Sequence, residues 1–391
     1  MYPSDLSLPR MLYGAILRSP RPKAKVKRID AADAEKMKGV RAVISASTPE
    51  ADVYWPYAKD KKAKLFDPLC LYEGETVAAM AAETPYEAWD AVRAIKVDYE
   101  VLPFVVDERK SRDPDAPQVH PEGNRVKPVE IYERGDVAKG FAEADVVLEQ
   151  SYRTECELHT PIELHGCVAR WDHDKLTIWE STQGVYPVQA RVAEVLGMPL
   201  SKVRVIGHYM GGGSGSKLQA DKSTIIAALL ARRTGRPVKL FLTREETFLA
   251  VGNRPPANMT LKAGVKKDGS LTAFHFSCTA TGGAFPAGGT SPVDWLVRDL
   301  YLCPNVRTEL ALRFEGARVS EGHVWLSGAA PVPWRAKEVE QEILGKQLDE
   351  KTIARATAAA VKNAEPLTKN EYKVPLFRAV IEEELEAIAL G

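Results

Sequence analysis

The stretch Met210-Gly-Gly-Gly-Ser-Gly-Ser-Lys217 constrains this chain more than any other. Four glycines in five positions remove Cβ atoms and open φ > 0, so the backbone can approach a bulky group closely. A short apolar run, 203–206, precedes the loop and an amphipathic segment, 219–233, follows it, which reads as strand, loop and helix. A helix start behind such a loop offers unpaired N–H groups and a positive dipole end to an anion. The combination suits a phosphate- or oxyanion-bearing cofactor. A tight strand-to-helix turn that binds nothing is the alternative.

Two phosphate-binding patterns fail here. A P-loop requires Gly-Lys-Ser/Thr, whereas this loop reads Ser216-Lys217-Leu218. A dinucleotide fingerprint requires an acidic residue about 20 positions on, at the end of a second strand. The next apolar run, 238–242, leads into Thr243-Arg244-Glu245, which fits that rule poorly.

With 391 residues there is room for two or three domains. The 53 basic and 53 acidic side chains balance, so bulk charge points to neither nucleic acid nor an anionic membrane. No run approaches the roughly 18 apolar residues of a membrane span, and the opening Met-Tyr-Pro-Ser-Asp lacks the pattern of a signal peptide. A cytoplasmic location is the expectation. Cys70, Cys156, Cys167, Cys278 and Cys303 are scattered and never form Cys-x-x-Cys, which argues against zinc or iron–sulfur ligation in this chain and for buried reduced thiols.

The patterning predicts an α/β (α+β) chain. Residues 12–17, an Asp30-capped helix ending at Gly39 and residues 41–45 read as strand, helix, strand. The pattern recurs at 76–82, at a helix opened by the capping box Thr84-Pro85-Tyr86-Glu87, and at 95–99. Residues 103–134 are rich in proline and charge and read as an extended crossover. Then come a strand at 146–152, a hairpin of 167–171 with 176–180, a helix at 187–196 ending at Gly197, and a long hairpin turned by Lys267-Asp268-Gly269. From about 334 the segments 334–344, 349–362 and 375–388 are helical, charged and without strand signal.

Read in order, these residues resemble the molybdenum hydroxylases, the xanthine dehydrogenase and aldehyde oxidase family, over about residues 5–310. Leu12-Tyr-Gly-Ala-Ile-Leu-Arg-Ser-Pro20 and Val97-Asp-Tyr-Glu-Val-Leu-Pro103 look like the start and end of its α/β hammerhead domain. Glu163-Leu-His165, Ser181-Thr-Gln183, the glycine loop, Gly282-Gly-Ala-Phe285 and Pro304-Asn-Val306 look like successive landmarks of its first molybdopterin domain. The resemblance implies a hammerhead domain at 1–107, a linker at 108–134 and a partial molybdopterin-binding domain at 135–312. It also implies cofactor contacts from Gln183, Gly212, Gly213, Ser214 and Gly215, with Gln183 matching the glutamine whose amide approaches an oxygen ligand of the metal.

Two departures bear on substrate. The family loop usually carries phenylalanine where Ser214 stands, and Leu218 replaces a glutamate of xanthine-oxidising members, which argues against xanthine. His159, Glu163 and His165 would share one face of a strand, but Pro161 and the lack of a fourth ligand favour a structural role over zinc. Lys217 reads as a structural cation at the helix start.

After residue 310 the pattern changes. The second molybdopterin domain and its Gly-x-Gly-Glu, which supplies the family's glutamate base, do not occur. Instead Ser327-Gly-Ala-Ala-Pro-Val-Pro-Trp-Arg-Ala-Lys337 and Pro366-Leu-Thr-Lys-Asn-Glu-Tyr-Lys373 resemble the C-terminal domain of the FAD-binding subunit, giving a mostly helical unit at 313–391. No catalytic residue is identified in this chain. The resemblance implies a molybdopterin cofactor, in its cytosine dinucleotide form, with FAD and 2Fe-2S centres on partner subunits. It implies a further chain that supplies the second cofactor domain, and an aldehyde or N-heterocycle as substrate. A non-catalytic assembly protein or fused remnant is the alternative function.

Overall fold

The computed structural model describes residues 1–58, 61–107, 109–126, 128–285 and 300–313, with 325–326, 334–335, 337–343, 350–362, 374–375, 378–379 and 381–382 beyond them. It forms two compact units, Met1–Arg318 and Val319–Gly391.

The first unit is built on a seven-stranded sheet. Its order is Val203–Ile206, Lys175–Glu180, Gly166–Asp172, Val238–Phe241, Leu12–Arg18, Thr76–Ala82, Val40–Ser45. The first four strands come from the later half of the unit and the last three from the first hundred residues. They join where Leu12 pairs in parallel with Val238. All seven residues of Thr76–Ala82 are buried because the sheet is covered on both faces. Ala79 and Ala81 face one core, and Ala78, Met80 and Ala82 face another with the Pro85–Ala94 helix. Thr84 Oγ1 caps that helix by accepting from Glu87 N at 3.2 Å.

The helix behind the glycine loop is Lys222–Thr234. The sequence suggests an amphipathic helix; the structure buries every residue from Ser223 to Ala231. Its alanines, isoleucines and leucines are packed into the core against the seven-stranded sheet and the Val185–Leu196 helix. It also starts later than the sequence suggests, leaving residues 218–221 as an irregular lead from the loop.

A five-stranded sheet runs Val146–Thr154, Ala257–Val265, Leu271–Thr281, Val306–Arg313, Glu130–Arg134. Its central hairpin turns at Gly269 (φ +87°), as the sequence predicts. The 103–134 crossover is not extended throughout, since Glu130–Arg134 joins this sheet as an edge strand. A smaller sheet of Leu69–Cys70, Ala24–Asp30 and Lys96–Val101 contains a strand that the strand, helix, strand reading of 12–45 lacks. Asp30 ends that strand, and Ala31 is the cap of the short Ala32–Lys36 helix.

In the second unit the described helices are Lys337–Ile343 and Glu350–Ala360, with Val339, Ile353 and Ala356 buried. Trp334–Arg335 pairs with Trp325–Leu326 as a short strand, where the sequence suggests a helix. Most of the helical stretch expected at 375–388 lies outside the described residues. All five cysteines are free thiols, four of them buried and Cys156 exposed, against the expectation that all are buried. Among the described residues no helix is long and apolar enough to cross a membrane.

Candidate functional site

The glycine loop leaves the Val203–Ile206 strand at the edge of the large sheet and passes beside residues 163 and 181–183, which flank the neighbouring hairpin. Three of its residues have positive φ: Gly212 (+96°), Ser214 (+49°) and Gly215 (+97°). Ser214 is thus a non-glycine residue in the left-handed region, a strained arrangement that packing must hold.

The five residues singled out from the sequence come together. Gln183 Oε1 accepts from Gly215 N at 2.9 Å and Lys217 N at 3.2 Å, and Gln183 N donates to Lys217 O at 2.8 Å. A Cβ on Gly213 would lie 2.5 Å from Gln183 Oε1, so the glycine is what lets that side chain lie against the loop. With its oxygen held inward, the exposed Gln183 has its NH2 group left as an outward donor. Among the described residues, the backbone N–H groups of Gly212, Gly213 and Ser214 find no acceptor.

Beneath the loop lies a polar support. Glu163 Oε2 accepts from Gly211 N at 2.6 Å and Ser181 Oγ at 2.7 Å. Lys217 is only 2% exposed; its Nζ donates to Glu163 O at 2.8 Å and Ser181 Oγ at 2.7 Å, and stands 3.6 Å from Glu163 Oε2. Lys217 makes the structural hydrogen bonds the sequence suggests, but it lies ahead of the Lys222–Thr234 helix and not at its start. His165 Nε2 lies 2.9 Å from Ser216 Oγ, which donates to Gly213 O at 2.7 Å. Since the hydroxyl proton is committed there, the imidazole is the donor and carries its proton on Nε2. Burial, with the nearby Lys217 charge, pushes the His165 pKa down to about 4, so the ring is neutral. His159, Glu163 and His165 lie on irregular backbone and not on a strand, and no metal-binding group of three side chains occurs among the described residues.

Sequence reasoning misses Ser181 and Ser216. They are ordinary serines whose partners, Lys217 and His165, lie 36 and 51 residues away. It also misses a cluster one step further along. Asp221 and Lys222 start the buried helix, Lys222 Nζ donates to Glu75 Oε1 at 2.6 Å, and Arg18 Nε donates to Glu246 Oε1 at 2.7 Å. Glu75 is wholly buried, and desolvation raises its pKa despite the lysine.

Ser214, Gly215 and Ser216 line one side of a cleft of about 2040 Å³, together with Leu218, Asp221 and Lys222. Gln183, Gly212 and Gly213 are not among its lining residues. Small-molecule sites usually enclose roughly 300–1,000 Å³. A cleft this large has room for protein as well as ligand.

A family model for the molybdopterin cofactor-binding domain matches residues 119–314. That span is half the chain and contains the whole loop assembly. The chain belongs to the molybdenum hydroxylase family. A model for the a/b hammerhead domain of aldehyde oxidase and xanthine dehydrogenase matches residues 1–103, and one for the CO dehydrogenase flavoprotein C-terminal domain matches residues 305–386. Members of this molybdenum hydroxylase family are molybdopterin-dependent oxidoreductases. The chain is 34% identical over 313 residues to a probable xanthine dehydrogenase subunit of Bacillus subtilis, covering 79% of this chain and 42% of the relative. It therefore spans less than half of that relative's length. It is 32% identical over 313 residues to the nicotinate dehydrogenase large molybdopterin subunit of Eubacterium barkeri, covering 79% of this chain and 73% of the relative. The fold matches the crystal structure of quinoline 2-oxidoreductase from Pseudomonas putida 86 with a TM-score of 0.74 at 24% identity, over 93% of this chain and 46% of that one.

Proposed function

We propose that this chain forms one wall of a molybdopterin site in an oxidoreductase that hydroxylates a carbon of an aldehyde or N-heterocycle with oxygen from water. The observation that carries the reading is the row of unpaired amides at Gly212, Gly213 and Ser214 on a loop locked by Gln183. Gly213 is buried, so its unpaired N–H is costly unless something accepts from it, while the exposed Gly212 and Ser214 leave theirs open to a bound group. Fixed neutral donors suit oxygen-rich anionic groups without a proton equilibrium. The residues fit the cofactor on that test.

When bound, the molybdenum cofactor supplies the redox chemistry. This chain's part is positional. Gln183, Gly212, Gly213, Ser214 and Gly215 would hold the pterin side of the site, and the Glu163–Lys217–Ser181 support keeps the loop amides aimed. The mixed polar and apolar lining of a 2040 Å³ cleft would be closed by a second cofactor domain on a partner chain. The cytosine dinucleotide form of the cofactor, iron–sulfur and FAD subunits as electron acceptors and a cytoplasmic location complete the proposal. The 1–107, 108–134, 135–312 and 313–391 divisions go with it.

Family membership and the preserved loop assembly support an enzyme component over a non-catalytic remnant. Elemental analysis of the complex purified with its partner chains tests the reading. Molybdenum stoichiometric with this chain is expected; none above background would overturn it.

A further inference from the structure

Two of the cations that line the cleft, Lys222 and Arg18, are each matched by their own acid. Lys222 pairs with Glu75 at 2.6 Å and Arg18 with Glu246 at 2.7 Å. Lys217, nearby, is matched by Glu163 at 3.6 Å. Asp221 is the carboxyl left over. It is the N-cap of the Lys222–Thr234 helix, where an aspartate ordinarily accepts from an amide of the first turn. Here the side chain makes no cap bond, and no other group bonds it among the described residues. It lines the cleft instead.

The wall beside it is aromatic. Tyr72 and Phe285 both line the cleft and meet edge to face with centroids 6.0 Å apart; Tyr57 adds a second edge contact to Phe285 at 5.0 Å. Tyr72 lies close enough to feel the Asp221 charge. Burial pushes the Asp221 pKa up to about 7, with Arg18 and Lys217 offsetting only part of the effect. The other ionisable groups around it are Glu180, which is buried with its pKa raised, and the paired Lys222 and Glu75.

We propose that Asp221 is a ligand-docking carboxyl that receives the N–H donors of a planar amidine-like or N-heterocyclic group lying against the Tyr72–Phe285 wall. This rests on the reading of the cleft as the place where substrate enters. A ligand anion is disfavoured at this carboxyl, because a second negative charge would face Asp221.

Benzamidine, benzamide and benzoate titrated calorimetrically against the full chain test the proposal. Benzamidine should bind more tightly than benzoate, and its affinity should rise as pH increases from about 6 to 8 and the carboxyl ionises. Asp221→Asn should weaken benzamidine roughly tenfold and flatten that profile, while Asp221→Glu retains it. Equal affinity in wild type and Asp221→Asn, stronger binding of benzoate, or no binding of benzamidine overturns the proposal. If Asp221→Asn does not fold, a wild-type affinity that stays flat over the same pH range overturns it alone. Molybdenum content separates the two readings. A metal-loaded complex with pH-independent benzamidine binding sinks only the Asp221 assignment, and pH-dependent binding without metal sinks only the cofactor role.

Discussion

Lys217 Nζ donates to Glu163 O at 2.8 Å while standing 3.6 Å from the carboxylate of the same residue. One lysine thus ties the last residue of the glycine loop to the segment preceding the Gly166–Asp172 strand. The lysine side chain is 1% exposed and the glutamate 8%, so neither charge has water to fall back on. Lys217→Met leaves Glu163 buried and uncompensated, and should destabilise the fold by about 3–5 kcal/mol. Chemical denaturation measures it, and Lys217→Met with Glu163→Gln should recover a large part of the loss. Additive losses would show that the pair does not act as a unit.

Gly213→Ala separates support from stability. Its Cβ would meet Gln183 Oε1 at 2.5 Å, Cδ at 2.8 Å and Cγ at 2.9 Å, all on one flexible side chain that must swing aside. The fold should lose less than about 1 kcal/mol, yet the loop loses its lock. Faster hydrogen exchange at the amides of Gly215 and Lys217, with a near-normal melting temperature, is the expected result.

Asp221 and His165 give stability opposite pH slopes. Folding raises the Asp221 pKa from 3.8 to about 7, so between these values the folded chain holds a proton the unfolded chain has released. Its contribution is therefore present at low pH and lost as pH rises through that window. His165 is lowered from 6.5 to about 4, so over that range the unfolded chain binds the extra proton and stability is lost as pH falls. Asp221→Asn should gain on wild type as pH rises from about 4 to 7, by roughly 1–3 kcal/mol in all. His165→Asn should gain on wild type as pH falls from about 6.5 to 4. Denaturation midpoints across pH measure both slopes.

The helix behind the loop is buried all round from Ser223 to Ala231. Leu230 is fully buried, and Leu230→Ala should cost about 2–5 kcal/mol. A cost under about 1 kcal/mol, as on a solvent face, would contradict the burial described above.

That helix also shows where the sequence stops being legible. Arg232 and Arg233 at its end and the polar residues at its start resemble an amphipathic pattern, but Ser223 and Thr224 are buried, with Thr224 Oγ1 donating to Glu180 Oε1 at 3.1 Å. A hydrogen bond across 44 residues leaves no local trace. The 166–180 hairpin is readable, because Leu176, Ile178 and Glu180 alternate inward and the 172–175 turn is polar. Ala24–Asp30 is not, since its alternating lysines, arginine and aspartate mimic a loop. Gln183 and the loop are recognisable through their order among several landmarks. Asp221 is invisible, because nothing local distinguishes a capping aspartate from one that faces a cleft.

The most direct test of the cofactor site is an anomalous difference map at the molybdenum edge from crystals of the purified complex. One molybdenum peak is expected on the face formed by Gln183 and residues 212–215. A peak remote from that loop, with the Gln183 carboxamide facing only solvent, would contradict the assignment.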